Sequence, residues 1–527
     1  MHTRWLLAKS IALACGCAVL PAQVWAAGES VPAPAQAAIT LPLALEMTLQ
    51  HSPNITLEKL AVDVAKASAR MASGAFNLVG RMGITHNHSD ITALDVDGLK
   101  PADRARLPPN AANIEVGLEN NQVSAGLTQP FRSGLSADLS VAASLTDPDI
   151  LLHPLQLPTN KGMVSFTLTV PLLKGAGTES AGAAETAAKL NHQASVADFQ
   201  HSISSTILET ITAFWNYSSA RWYADQVQAS QARVQKWIER AGRSDKTLDG
   251  YLEDKKGKWI DATQTLSEAR VALATKMGIT PDQLAAMGEP VDEFPLEWGD
   301  ALSQFDSARM QQQWTQLALD KRLDLKAARL RQESAQTNLK KARKDTLPKL
   351  DVTLSVGYNG FTQYNGLSQL LDSTYRNVGV NYGAGLTLNY PFGNDVAEGA
   401  LDLSQVDYRQ KTITAEEKVR ALSLGVMGEV SSVHGRMQKA VQIRKTLLSY
   451  RDALTTLLDD KAVLEDLSKL ITAMQLEDKY LEAQSEGARA LTDLASAIAK
   501  ARFTTGTLLT TDEAGGQVHL ADLATLP

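Results

Sequence analysis

Beyond residue 17 the chain has no cysteine, so disulfides, thiolate nucleophiles and cysteine metal ligands are excluded from nearly all of it. Aromatic residues make up only 6%. No basic stripe stands out against a net charge of −7, which argues against a nucleic-acid partner. No run approaches the 18 or so apolar residues that a membrane-crossing helix needs. Proline is missing from Leu172 to Thr280 and again from Phe392 to Leu526. Because proline costs roughly 3 kcal/mol inside a helix, two windows of that length point to very long helices. The Gly-x-x-x-x-Gly-Lys-[Ser/Thr] order that cradles phosphate is absent; Lys174-Gly175-Ala176-Gly177 only superficially resembles it. Gly-x-Ser-x-Gly and His-Glu-x-x-His are absent too.

What is present begins with MHTRWLLAKSIALACGCAVLPAQVWAAGES. Arg4 and Lys9 form a positive start, residues 10–20 a short apolar core, and Val24-Trp25-Ala26 a small-residue cleavage site, so residues 1–26 read as a secretory leader. Lipidation at Cys15 or Cys17 is the rival reading, against which the residues before each cysteine match the usual lipobox poorly. Removing the leader takes the net charge from −7 to −9. An exported chain without a helical span is either soluble or an outer-membrane barrel.

The chain reads as two tandem copies. With Pro171 set on Pro391, Phe166, Leu168 and Val170 fall on Leu386, Leu388 and Tyr390. In the helices that follow, Ile203, Ile207, Ile211 and Phe214 share their 4-4-3 spacing with Leu422, Val426, Val430 and Val433, 219 positions later. Asn54-Ile55 matches Asp324-Leu325 at an offset of 270, so the first copy carries an additional insertion of about 50 residues before Pro171. The 4-4-3 spacing has a period of about 3.67, which favours nearly straight packing over a left-handed supercoil. Gly425, Gly428 and Gly435 would weaken the second long helix unless a neighbour approaches closely there.

Several segments alternate in the manner of half-exposed strands. Val164, Phe166, Leu168 and Val170 alternate with Ser165, Thr167 and Thr169; Leu350 to Tyr358 and Leu135 to Leu145 do the same. Alternation over about 10 residues is the weak signature of a transmembrane barrel strand.

These features are assigned to a linker (27–39), a first copy (40–279), a connector (280–318), a second copy (319–509) and a tail (510–527). The first copy is expected to hold a helix, strands over about 78–171 with an extra hairpin, a long helix 178–242 and a return helix 248–278. The second is expected to hold a helix 322–346, strands over about 349–391, a long helix 397–463 and a return helix 471–505. The fold class is α+β.

The stretches LPLALEMTLQHSPNITLEKLAVDVAKASARMASGAF (41–76), FTLTVPLLKGAG (166–177), LSEARVALATKMGI (266–279), ARKDTLPKLDVTLSVGYNG (342–360), LTLNYPFGND (386–395) and LTDLASAIAKARFTTGTLL (491–509), in this order, resemble the TolC-like outer-membrane efflux proteins. The resemblance implies a homotrimeric duct, with a β-barrel in outer-membrane lipid continued by a periplasmic α-helical barrel. It implies a passive conduit for efflux or type I secretion, with an inner-membrane pump and a periplasmic adaptor as partners, no cofactor and no enzymatic activity. The family places its gate at the turns between long and return helices. Some members carry an acidic ring just after the second turn, where this chain has Thr472 and Gln475.

Pro171 and Pro391 are read as strand-to-helix joints. Gly242, Arg243, Ser244, Leu248, Leu467, Ser468 and Leu470 are read as the partner-docking tip, with the leucines as apolar knobs. Asp245, Asp249 and Asp466 are the gate candidates, with Asp459, Asp460 and Glu465 near them. Glu477-Asp478 reads as a solvated helix face. His86 and His88 lack further ligands nearby for a metal. The alternative functional class is a non-conducting structural or adhesive outer-membrane protein with a helical spacer; a soluble periplasmic coiled-coil protein is a third.

Overall fold

The structure is a computed structural model. It describes residues 38–92, 115–149, 159–242, 245–292, 294, 298–362, 379–458, 466–511, 518–520 and 525–527. The leader and most of the linker therefore lie outside the described residues.

The chain is mostly helical, with one long-stranded sheet. Helices α1 (Leu41–His51) and α2 (Pro53–Ser73) lead into β1 (Val79–Thr92), β2 (Glu115–Pro130), β3 (Ser136–Asp149) and β4 (Thr159–Pro171). Then come α3 (Thr178–Ala181), the rod α4 (Ala183–Ala241) and its return helix α5 (Lys246–Met277). Short helices α6 (Pro281–Ala286), α7 (Gly299–Ser303) and α8 (Ser307–Lys321) connect to α9 (Leu323–Asp345), β5 (Lys349–Thr362) and β6 (Gly379–Asn389). The second rod α10 (Asp395–Leu458), its return helix α11 (Leu467–Thr505) and a small hairpin, β7 (Leu509–Thr511) with β8 (Val518–Leu520), complete the fold.

The sheet is antiparallel throughout, in the order β1-β2-β3-β4-β5-β6. Register fixes what each face carries, because directly opposed residues share a face. One row across the strands is Gly80, Leu127, Leu139, Phe166, Val356 and Tyr382; the next is Met82, Ala125, Val141, Val164, Tyr358 and Val380. Most large side chains of these two rows are exposed, Met82 at 81% and Tyr382 at 89%. The opposite face is polar: Arg81, Gly126, Ser140, Ser165, Gly357 and Asn381 form one of its rows. Arg81 there donates to Thr128 and Asp138, and Ser140 shares a hydrogen bond with Ser165. Among the described residues β1 and β6 each pair on one side only.

α4 and α10 contain 59 and 64 residues, each about 90 Å or more at 1.5 Å per residue. The pattern expected to run unbroken from Thr178 is interrupted at Gly182, between α3 and α4. α2 lies along α4, α9 lies between α4 and α10, and α11 lies between the same rods further from the sheet; α5 runs beside α4. The 4-4-3 stripes are the seams: Ile207, Ile211, Phe214, Val426, Val430 and Val433 are buried. Gly425, Gly428 and Gly435 have nothing among the described residues within 4 Å of where a Cβ would stand, so no described neighbour accounts for them.

The return helices end alike. Gly278 and Gly506 both have φ of +72°. A Cβ on Gly278 would lie 2.5 Å from the His51 carbonyl at the α1–α2 kink; on Gly506 it would lie 3.0 Å from Lys321 at the α8–α9 kink. Both positions therefore need glycine on two counts.

Between sheet and rod, the β2–β3 turn folds onto the start of α4. Arg132 reaches Glu185 with two guanidinium nitrogens, at 2.6 and 2.9 Å. Lys189 and Ser73 also donate to Glu185, which is 4% exposed. The Arg132 hydrogen bond, then that of Lys189, outweigh burial and hold the Glu185 carboxyl far below the usual carboxylate range. Glu185→Gln should lower stability by about 1 kcal/mol, since Arg132 and Lys189 lose their anion but, each more than half exposed, regain water. The depressed folded pKa means this contribution is complete above the unfolded carboxylate pKa of about 4.3 and is lost as pH falls below it. Thermal unfolding of both forms in detergent checks this: the gap between them should stay constant from neutral pH down to about pH 5 and shrink as pH falls below about 4.3.

Candidate functional site: the helical tip

The far ends of the rods carry the residues singled out for docking and gating. Gly242 ends α4 at φ of +60°, its N–H directed at the Ile238 and Glu239 carbonyls at 3.2 Å. Arg243 and Ser244 lie outside the described residues, as do Asp459, Asp460 and Glu465. Asp245 caps α5: its Oδ1 accepts from the Thr247 N–H at 2.7 Å. That backbone hydrogen bond holds its carboxyl below the ordinary value. Asp466 caps α11 in the same way, accepting from the Ser468 N–H at 2.8 Å. Two of the three gate candidates thus have a local task at a helix start. Asp249 and Ser468 are exposed, one turn or less inside their helices.

The leucines correct the sequence reading. Leu248 and Leu470 are 0% and 1% exposed, packed with Val234, Trp237, Leu454 and Met474. They are the core of the tip, joining all four helices, and present no knob to a partner. Leu467 packs on this core from its rim and remains partly exposed. Burial was invisible in sequence because each helix offers only one or two buried apolar residues to a core completed by the other three.

A charge network sits just above that core. Lys255 on α5 is fully buried, 2.8 Å from Asp478 on α11 and 3.0 Å from the Ser230 hydroxyl on α4. Lys258 joins Asp478 and Asp254; these carboxylates together overcome its partial burial and raise its pKa. Arg233 on α4 donates to Glu477 Oε1 at 2.7 and 3.1 Å. Glu477 is fully buried, so the Glu477-Asp478 pair is no solvated face. It ties α11 to both helices of the first coil, and only knowledge of which helices adjoin would have revealed it.

At the other end, Pro171 closes β4 opposite Asp351, and the following Leu172 N–H donates to the Leu350 carbonyl at 2.8 Å. Pro391 follows β6 and leads through Gly393, φ +69°, to Asn394, whose side chain donates to the Thr346 carbonyl. His86 meets Asn121 at 2.8 Å. Among the described residues no three His, Cys, Asp or Glu side chains gather as metal ligands. Among them, too, no helix is long and apolar enough to cross a membrane.

The outer membrane efflux protein family model matches residues 314–432, from α8 into α10. Over that segment the chain is similar to the outer membrane efflux proteins. Solved structures share the fold over most of its length. The CmeC outer membrane channel of Campylobacter jejuni is 12% identical with a TM-score of 0.58, over 89% of this chain and 85% of that one. The outer membrane protein VceC of Vibrio cholerae is 16% identical with a TM-score of 0.57, over 88% and 96%. The open-state MtrE outer membrane channel of Neisseria gonorrhoeae is 16% identical with a TM-score of 0.53, over 89% of both chains. No curated protein matches the sequence.

Because Leu248 is core, Leu248→Ala should loosen the tip by about 2–5 kcal/mol. Hydrogen exchange should quicken in residues 230–241, 248–258 and 467–478 and stay unchanged in the sheet. Equal exchange in the two proteins would show that the cluster does not hold the tip together.

Proposed function

We propose that the protein is the outer-membrane exit duct of a tripartite efflux or type I secretion system, formed by three copies and driven by an inner-membrane pump through a periplasmic adaptor. The observation that carries this reading is the sheet: one face apolar and exposed, the other polar, and both outer strands lacking a partner among the described residues. An apolar face suits lipid, and hydrocarbon admits no unpaired strand edge. With β6 of one copy beside β1 of the next, three copies close about 18 strands into a barrel with an even strand number. The polar rows then line the bore.

The tandem-copy reading supplies the contact below the membrane. Ala327 and Leu330 on α9 pack on Ala194 and Ala197 of α4, and the Ser334 hydroxyl donates to the Ala187 carbonyl. Shifted by 270, these α9 positions are Leu57, Leu60 and Val64 on α2, all exposed. Shifted by 219, Ala187 and Ala194 become Val406 and Ile413 on α10, exposed as well. The two stripes are the halves of one contact, made between copies. Where α9 fills the groove inside a chain, α2 of the next copy fills it across the boundary.

The tip is the adaptor's docking site and the gate. Gly242, Arg243 and Ser244 at the first turn, with Leu467 and Ser468 after the second, are the surface offered to the partner. Asp249 is the gate residue freest to face the bore, and threefold symmetry makes it a ring; acidic rings favour cations. Asp245 and Asp466 add to that field from the helix starts.

Reconstitution in planar bilayers tests the reading. Discrete conductance steps with cation preference are expected, and Asp249→Asn should move the reversal potential in a salt gradient toward zero. A protein that inserts yet conducts nothing would instead be a structural or adhesive one; an unchanged reversal potential would remove Asp249 from the gate.

A further inference from the structure

Where α4, α10 and α11 cross, near the middle of the rods, they enclose a cavity of about 480 Å³. This size falls in the range of small-molecule sites, about 300–1,000 Å³. Three aromatic residues shape it: Trp215 and Trp222 from α4 and Phe294 from the connector. Trp215 meets Phe294 edge-on, with ring centroids 5.3 Å apart at 73°. The floor is opened by Gly487 of α11, where a Cβ would lie 3.0 Å from Leu447 and 3.3 Å from Ile443 on α10. Any larger residue there drives those two side chains into the space. Ser218, Ser219 and Thr492 add hydroxyls to the wall, Arg444 of α10 brings a positive charge, and no carboxylate lines it. The Trp215 indole nitrogen is buried without a hydrogen-bond partner among the described residues, which is a cost in a folded chain. Trp222 and Leu448 remain 41% exposed at the edge, so the cavity has an entrance.

We propose that this cavity is a binding site for a planar aromatic molecule that carries no positive charge. Flat rings fill the space between two indoles and a phenyl ring, in the offset or edge-on contacts such rings prefer. A hydrogen-bonding group on the ligand is met by the serine and threonine hydroxyls. The molecule touches both rods and a return helix at once, so it favours the one arrangement of these helices that gives the cavity its present shape. The proposal does not depend on conduction or on the adaptor. All residues that line the cavity belong to one chain.

N-phenyl-1-naphthylamine is a suitable probe, because tryptophan emission overlaps its absorption and its own emission rises in apolar surroundings. Full-length protein in lipid nanodiscs is titrated with the dye, and energy transfer from tryptophan is recorded against empty discs and discs holding an unrelated barrel. Expected is a saturable component of about one dye per chain, at least tenfold weaker in Gly487→Leu. Trp222→Ala, at a half-exposed position that leaves the helix packing intact, should weaken it at least threefold. Dye uptake without saturation, equal to that of the control discs, would overturn the proposal. So would saturable binding that both substitutions leave unchanged while circular dichroism shows both variants folded.

Discussion

An edge strand in hydrocarbon has nowhere to send its backbone hydrogen bonds, and among the described residues β1 and β6 each leave one edge unpaired. In water such edges invite aggregation and are blunted by charge, bulges or brevity. Here they are 14 and 11 residues long and unbroken. The apolar face, exposed from Met82 to Tyr382, would be equally unfavourable in water. One arrangement answers both: the sheet continues into further copies and its apolar face meets lipid. The proposed assembly follows from that constraint, as do the matching stripes on α2 and α10.

The sheet is joined to the rods by polar chemistry at the surface where lipid would give way to water. Arg132, from the turn of the additional hairpin, holds Glu185 at the start of α4. The hairpin thus both widens the sheet and braces its exit. Farther along, the middle of the rods is a hydrophobic belt that takes in Phe214, Trp314, Val433 and Ile498, and the tip has its own core around Leu248 and Leu470. Between belt and tip lies the buried Lys255–Asp478 and Arg233–Glu477 network. Breaking a buried ion pair leaves an uncompensated charge and costs several kcal/mol. These pairs therefore hold α11 firmly to both α4 and α5 inside each chain.

Much of the architecture was legible because it rests on local rules. The two proline-free windows contain the rods, and Pro171 and Pro391 stand where strands end. Period-two alternation marked Val164 to Val170 and Leu350 to Tyr358, which lie in β4 and β5. What escaped the sequence depends on neighbours distant in the chain. Leu248 looked like a surface knob because its own helix is polar around it; its burial comes from α4, α10 and α11. Glu477 looked solvated because nothing nearby in sequence is its partner, while Arg233 lies 244 positions away. Asp245 and Asp466, chosen for their charge, also carry a capping pattern that was legible: an acidic residue just before a helix start.

The central claim is that each copy completes the next, with α2 entering the groove on α10 as α9 enters that on α4. No cysteine follows residue 17, so introduced thiols report without background. Leu60→Cys and Ile413→Cys, combined in one chain and mildly oxidised in outer membranes, should yield disulfide-linked dimers and a closed trimer, with no larger species. Either substitution alone should give monomers. Only monomers from the double variant, or a ladder that runs beyond three, would contradict the account.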